Sequence, residues 1–411
     1  MVAKKDKAFK QASLYILVLI CSLGPFGDTL YTPSLPEIAK ALSTQYHWVQ
    51  LTVTSYLFGY AVGQLLYGPF SDRLGRRPVM LFGAICFTIG SLACLLSHEI
   101  WTLIYGRAFQ GVGAAAGAVL SVAAIRDSYG YKERNTMYAK LNLAFSIAPG
   151  LGPVVGSFTA HYFPWRVNFV ILLALSVWML FSVIFQFPET IRQKNYQAIQ
   201  PKQLLVNYVT LFRQKGYIIF LLVLGLTVAM IYTCLIEAPS IVITLLKLEY
   251  RWFLIIALGI VLAFVLGSLT TTYLNNRLSS FRIIGLGLFI MLLGSCLFLG
   301  LILAGFINIY SLLLPTIVIF YGVAFVIPVA MNLALLPFGH ITGSATAMMG
   351  CFQMGMAALA TGLITIIPLP TILTLPYSFL VLSLTAIIIF VLYLLIVGKK
   401  GRERYLHIRN A

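Results

Sequence analysis

Three charged residues sit inside long apolar runs: Asp28, Arg107 and Glu237. On insertion scales a charge at the centre of a bilayer costs about 3 kcal/mol or more, so each of these needs a partner, a water-filled cavity or a proton. Counted along regular helices, all three fall in the same half of the membrane, and Asp28 with Arg107 would form a buried pair that protonation of the acid breaks. A titratable carboxylate at a cavity is the chemistry of proton coupling. The alternative is that these charges only pin helices together, or that Glu237 sits among headgroups. Other chemistry has no residues to carry it. His47, His98, His161, His340 and His407 lie in links, at run ends or in the tail, no metal set is spaced for binding, and the six cysteines lie in apolar runs as fillers without Cys-x-x-Cys spacing. A membrane-embedded enzyme or sensor would need intramembrane histidine pairs, an activated nucleophile or a soluble domain.

The elements that must hold these charges are membrane spans. Sixty per cent of the 411 residues are hydrophobic and nine per cent charged, where soluble domains carry about a quarter charged. Runs of about 20 apolar residues cross a bilayer as helix, and twelve are present: 14–32, 49–70, 79–97, 102–125, 141–161, 167–187, 217–240, 253–273, 283–303, 311–335, 344–367 and 377–397. The expected class is an all-α membrane protein of two six-helix bundles, residues 1–188 and 217–411. They are joined by the link 189–216, in which Leu204, Leu205, Tyr208, Leu211 and Phe212 predict a surface amphipathic helix after Pro201. The run behind the N-terminal lysines has no cleavage site and reads as a retained first span.

Charge sets the orientation. Of the 28 Lys and Arg, 23 lie on the side of the N-terminus and four on the other, so both termini are expected in the cytoplasm. Trp48, Trp101, Trp165 and Trp252 end spans on the opposite side, as an interfacial belt does. The net charge of +17 is spread over alternate links and forms no stripe for nucleic acid. The partners implied are the lipid bilayer and a small molecule. An offset of 204 lays Arg73-Leu74-Gly75 on Arg277-Leu278-Ser279 and Asp72 on Asn276, a weak repeat of six spans. Such repeats place a substrate site between them at mid-membrane.

Three stretches are motif-like. Gly68 to Met80 packs Asp72, Arg73, Arg76 and Arg77 with Gly68 and Gly75 into the link between the second and third spans. Arg107 to Gly113 reads Arg-Ala-Phe-Gln-Gly-Val-Gly, and Ala148 to Gly156 reads Ala-Pro-Gly-Leu-Gly-Pro-Val-Val-Gly. Together they resemble the loop, fourth-helix and fifth-helix motifs of the major facilitator superfamily. Within it, Tyr31 to Pro36, Phe187 to Thr190 and Gly343 to Ala347 resemble the twelve-span drug:proton antiporters of the bicyclomycin and chloramphenicol resistance group of bacterial inner membranes.

The resemblance implies an exporter of small amphipathic compounds working by alternating access, with the proton as coupling ion, no other cofactor, no metal and a monomeric state. A dedicated metabolite or siderophore exporter is the nearest alternative. Residue by residue, it implies proton coupling at Asp28, Arg107 and Glu237. Asp72 would pair with a base such as Arg126 near the start of the eleventh span. Pro149, Gly152, Pro153 and Gly156 would let the fifth span bend against its neighbour in the other half. Spans one, four, seven and ten line the cavity in this family. With the other polar residues inside spans, this gives Tyr31, Gln110, Asn142, Tyr232, Tyr321, Asn332 and Gln353 as substrate contacts. Two departures stand out: Asp28 lies five rather than four residues before Pro33, and Glu237 replaces a small polar residue.

Overall fold

The first span does not stop where its apolar run does. In the computed structural model, which describes residues 11–191, 194–196, 199–338, 342–366 and 371–410, α1 (Leu14–Thr29) passes through a 3-10 turn (Thr32–Ser34) into α2 (Leu35–Ala41). Pro33 and Pro36 lack the N–H that would continue the ladder, and each sits in the first turn of a new helical segment, where proline is tolerated.

The other spans follow in order. They are α3 (Tyr46–Leu74), α4 (Arg76–Leu95), α5 (Ile100–Ser128), α6 (Tyr131–Tyr162) and α7 (Arg166–Gln186). After the link helix α8 (Pro201–Phe212) come α9 (Lys215–Pro239), α10 (Tyr250–Leu274), α11 (Ser280–Leu303), α12 (Ile309–Leu335), α13 (Thr342–Ile366) and α14 (Thr371–Asn410). α9 ends in a π-helical turn at Ser240–Leu245.

Eleven of these segments are long and apolar enough to cross a membrane among the described residues. The twelfth, α3, has the length but not the apolarity. Its Gln50, Thr52, Tyr56, Tyr60, Gln64 and Tyr67 are buried, packed against α5 and α13. Polar side chains shielded by protein are not charged the cost of lipid exposure, which is why a span this polar is tolerated. The chain is a multi-pass membrane protein.

Buried side chains form two clusters, one from α1 to α7 and one from α8 to α14. Val228, Tyr232 and Ile236 of α9 and Ala357 and Ala358 of α13 pack into the first cluster and make the seam. α3 lies along α13, and α6 along α10.

The repeat extends from sequence into packing. Offsetting Gly63 and Gly83 by 204 gives Gly267 and Gly287. A Cβ at Gly63 would meet Ala115 and the carbonyl of Val112, and one at Gly267 would meet Ala324 and the carbonyl of Tyr321. Gly83 abuts Ala116 and the Gly113 carbonyl as Gly287 abuts Phe325 and the Gly322 carbonyl. Each of these partner pairs differs by 209, so α3–α4–α5 and α10–α11–α12 are two copies of one close-packed unit.

Three expectations are corrected here. Gly152 and Gly156 do not face the other half: a Cβ there would collide with Thr29 Oγ1 and with the Leu30 carbonyl, respectively, at the end of α1 in the same bundle. Of the three glycines in that stretch, Gly150 is the one that meets the other half, at Val261 of α10. Trp165 is 1 % exposed, stacked edge-on against Phe169, and is a core residue, not part of a belt. Cys296 is exposed and Cys351 partly so, while the other four cysteines are buried, and all six are free thiols.

Candidate functional site

Arg107, fully buried on α5, is held from four directions. Its guanidinium lies between two rings, 4.3 Å from the centroid of Tyr31 and 4.1 Å from that of Tyr56, a cation–π sandwich on both faces. Nη1 donates to the Gly27 carbonyl at 3.1 Å and to Gln110 Oε1. Gln110 Nε2 donates in turn to Ser91 Oγ at 2.7 Å. The tyrosines are fixed by their hydroxyls: Tyr31 shares a hydrogen bond of 2.7 Å with Thr52, and Tyr56 donates to the Gly24 carbonyl at 2.8 Å. This network ties α1, α3, α4 and α5 together at one level, as ionic groups in a low-dielectric setting must be tied.

Asp28 and Arg107 do not form the ion pair expected of them. Arg107 reaches the backbone of Gly27, whereas Asp28 Oδ2 accepts from the Tyr232 hydroxyl of α9. Its other oxygen, Oδ1, is buried without a hydrogen-bond partner, as are Nε and Nη2 of Arg107. The guanidinium is held inside the first bundle by Tyr31, Tyr56, Gly27 and Gln110, whereas Asp28 points into the seam between bundles. Because the chain continues helically to Ala41, Asp28 is also the middle residue of its span and not an outer one.

Glu237 is 3 % exposed, enclosed by protein. It accepts from Gln50 Nε2 of α3 at 2.6 Å, and the hydroxyl of Tyr46 donates to the neighbouring carbonyl of Ile236 at 2.6 Å. Five residues separate Tyr232 from Glu237 on one helix, about 7.5 Å of rise. Two acids therefore occupy the seam in tandem, each bonded to the opposite bundle, at and beyond mid-membrane on the side away from the termini.

The residues expected to contact substrate divide. Tyr31 and Gln110 are consumed in positioning Arg107, and the Tyr232 hydroxyl is engaged by Asp28. Tyr321 turns to α10, donating to Thr270 Oγ1 at 3.0 Å and packing on Phe325, so it is not brought to the acids. Asn332 on α12 is exposed and Gln353 on α13 is half-buried. Asn142 falls on α6, and its side chain is outside the described residues. Gln50, Tyr46, Tyr56 and Thr52 belong to the site without having been assigned to it. Their signal was the density of polar residues in α3, the span that falls short of the others in apolarity.

On the side of the termini the loop after α3 is also rearranged. Asp72 pairs with Arg76 at 2.6 Å, Asp127 of α5 takes Arg76 Nε at 2.9 Å, and Arg126 pairs with Asp127 at 3.4 Å. Asp72 thus does not reach Arg126. The nearly buried Arg76, also bonded to Ser71 Oγ, lies between the two acids, and Arg126 is left exposed outside them. Arg77 donates to the Ile184 carbonyl at 2.6 Å, while Arg73 is exposed and Gly68 half-buried. Gly75 has φ +114°, a conformation that side chains resist. Its turn points the start of α4 at Glu189, which accepts from the backbone N–H groups of Arg76 and Arg77 at 2.9 and 3.3 Å. Asn195 N–H donates to the Asp72 carbonyl at 2.9 Å, so the link between bundles begins stitched to this loop. α8 then seats Tyr208 against Leu65 and Phe212 against Phe352, and burial raises the pKa of the Tyr208 phenol.

A two-bundle helical membrane protein with two buried carboxylates at the seam is built as a carrier. The comparisons agree: residues 17–361 match the family model of the Major Facilitator Superfamily, and the chain belongs to that superfamily of transporters. It is 31 % identical over 357 residues to multidrug resistance protein D of Escherichia coli (strain K12), covering 85 % of this chain and 87 % of that one. It is 28 % identical to a chloramphenicol resistance protein of Pseudomonas aeruginosa, covering 87 % of this chain and 85 % of that one. A bicyclomycin resistance protein homologue of Haemophilus influenzae is 32 % identical over about half of each chain. Among solved structures, the E. coli xylose transporter in a partially occluded inward-open conformation superposes with TM-score 0.72 at 14 % identity, covering 94 % of this chain and 98 % of that one. At that identity the likeness speaks for the fold.

Proposed function

We propose that this transporter is a proton-coupled exporter of small amphipathic compounds in the bacterial cytoplasmic membrane, working as a monomer with both termini in the cytoplasm. The observation that carries the reading is Asp28: a carboxylate at mid-membrane, in the seam, hydrogen-bonded to the bundle that must move away from it. Alternating access changes the surroundings of such a group with every cycle, and that change is what couples a proton to substrate movement. Glu237 is the second proton site. Arg107, locked by two rings and Gln110, supplies a fixed positive field beside Asp28. Export of antimicrobial compounds follows from the similarity to resistance proteins. Exposed Asn332 and half-buried Gln353, together with the methionines of α13, are the proposed substrate contacts, since thioethers adapt to apolar ligands of varied shape. Basic residues in alternate links face the cytoplasm and its anionic lipids, not nucleic acid.

The test is transport of chloramphenicol and ethidium in proteoliposomes under an imposed pH gradient, comparing the wild type with Asp28→Asn and Glu237→Gln. Gradient-driven movement in the wild type and its loss in Asp28→Asn are expected, with a partial loss in Glu237→Gln. Movement in the wild type that ignores the gradient refutes antiport, and full gradient-driven movement in both variants removes the two acids from the proton path.

A further inference from the structure

The seam holds two carboxylates in reciprocal roles. Asp28 belongs to the first bundle and accepts from Tyr232 of the second, while Glu237 belongs to the second and accepts from Gln50 of the first. With the bonds from Tyr46 to the Ile236 carbonyl and from Thr54 to Thr361, four hydrogen bonds cross the seam among the described residues on the side away from the termini. All four must break before that side opens. Asp28 and Tyr232 are also repeat equivalents, separated by the same 204 residues that relate α3 and α4 to α10 and α11.

Hydrogen bonds to an ionised acceptor are roughly twice as strong as neutral ones. The charge on the two acids therefore sets how firmly this side is held shut. The groups facing Asp28 are Arg107 of α5, Tyr56 and Tyr60 of α3 and Tyr232 of α9, and those facing Glu237 are Gln50 and Tyr46 of α3. None of these except Arg107 carries charge at neutral pH. Neutralising an acid thus removes the one strong interaction it has across the seam.

An exchanger stays coupled only if the carrier empty of both proton and substrate does not reorient, since otherwise each ligand runs down its own gradient. We propose that the Asp28–Tyr232 and Glu237–Gln50 hydrogen bonds are the latch that keeps the empty, ionised carrier closed on the side away from the termini. A proton releases the latch by neutralising its acceptor, and substrate releases it by taking Asp28 from Tyr232. Tyr232 and Gln50 are positioning residues in this scheme and not substrate ligands. The inference rests on the antiport reading, and it adds the device that prevents slippage.

The experiment needs no substrate. Full-length protein is reconstituted into liposomes holding a trapped pH-sensitive dye, with potassium and valinomycin to clamp the potential, and the decay of an imposed pH gradient is followed. The wild type holds the gradient as protein-free liposomes do. Tyr232→Phe and Gln50→Leu, each checked for a folded, monodisperse state before reconstitution, leak protons about tenfold faster than wild type, the effect of losing one hydrogen bond to a charged group. Combining either with Asp28→Asn and Glu237→Gln abolishes the leak, which separates a slipping carrier from a damaged bilayer. The latch is overturned if neither folded variant leaks above wild type, if the wild type leaks as fast as they do, or if the leak survives removal of both acids. It fails separately from antiport. Gradient-driven efflux by the wild type with no leak in either variant removes the latch alone, whereas efflux indifferent to the gradient removes the reading beneath it.

Discussion

At the scale of single residues, the informative feature is that Arg107 is held by faces as well as by edges. The sequence marks Arg107 as expensive and in need of a partner, and points to the nearest acid. The structure instead divides its needs between two rings, a backbone carbonyl and Gln110. Nothing in the spacing of a single chain says that rings on two other segments converge on one guanidinium, so Tyr56 was legible as a buried polar residue but not as part of the site. The division of labour can be measured. Tyr56→Phe keeps the ring over Arg107 and loses only the bond to the Gly24 carbonyl, so it is expected to cost about 1 kcal/mol of stability. Tyr56→Leu also loses the ring and is expected to cost about 1–2 kcal/mol more. Thermal unfolding of the two purified variants in one detergent gives the comparison. Equal losses would mean that the hydroxyl, and not the stacked face, holds the arginine.

At the scale of elements, helix existence was legible and helix partnership was not. Twelve spans and the link helix could be read from apolar runs and proline positions, because lipid forces the spans into the composition, and the offset of 204 from the match of two loops. Which neighbour a glycine approaches is another matter. Gly152 and Gly156 serve the end of α1, inside their own bundle. Small residues only record that something comes close, not what it is. The loop after α3 shows the same division. Its arginines announced a link on the basic side, but Glu189, more than a hundred residues on, is what caps α4. Carboxylates at a helix start are favoured by the unpaired N–H groups and the dipole there. Glu189→Ala is therefore expected to destabilise the first bundle by about 1–2 kcal/mol, and Glu189→Gln by less, since an amide oxygen still accepts. Gly75→Ala should cost at least as much, because a Cβ there adds unfavourable φ to a collision with Glu189 Oε2. Unfolding midpoints would rank the three. A Gly75→Ala protein as stable as wild type would show that the tight turn is not required.

At the scale of the whole molecule, the two bundles are copies in packing and opposites in chemistry. Position 209 after Arg107 is Thr316, whose hydroxyl only returns to the Leu312 carbonyl of its own helix, so the second copy of the close-packed unit has no buried cation at this level. The bundles meet along α3 and α13, where Thr54 donates to Thr361 at 2.9 Å on the side away from the termini. If transport requires this side to open by tilting of bundles that are each rigid, the two threonines must part in every cycle. Their side-chain oxygens already lie at a separation that sulfur atoms can bridge after small adjustment. Thr54→Cys combined with Thr361→Cys, with Cys296 and Cys351 replaced by serine to remove the less buried thiols, is expected to form a disulfide under mild oxidation. The cross-linked protein should bind but not move ethidium in proteoliposomes, and reductant should restore movement to the level of the uncross-linked protein. Peptide mapping of the oxidised protein reports the extent of cross-linking, which must be nearly complete for the comparison to hold. Undiminished transport by fully cross-linked protein would mean that α3 and α13 stay together through the cycle. The bundles would then have to pivot elsewhere, with α6 and α10 as the remaining long contact.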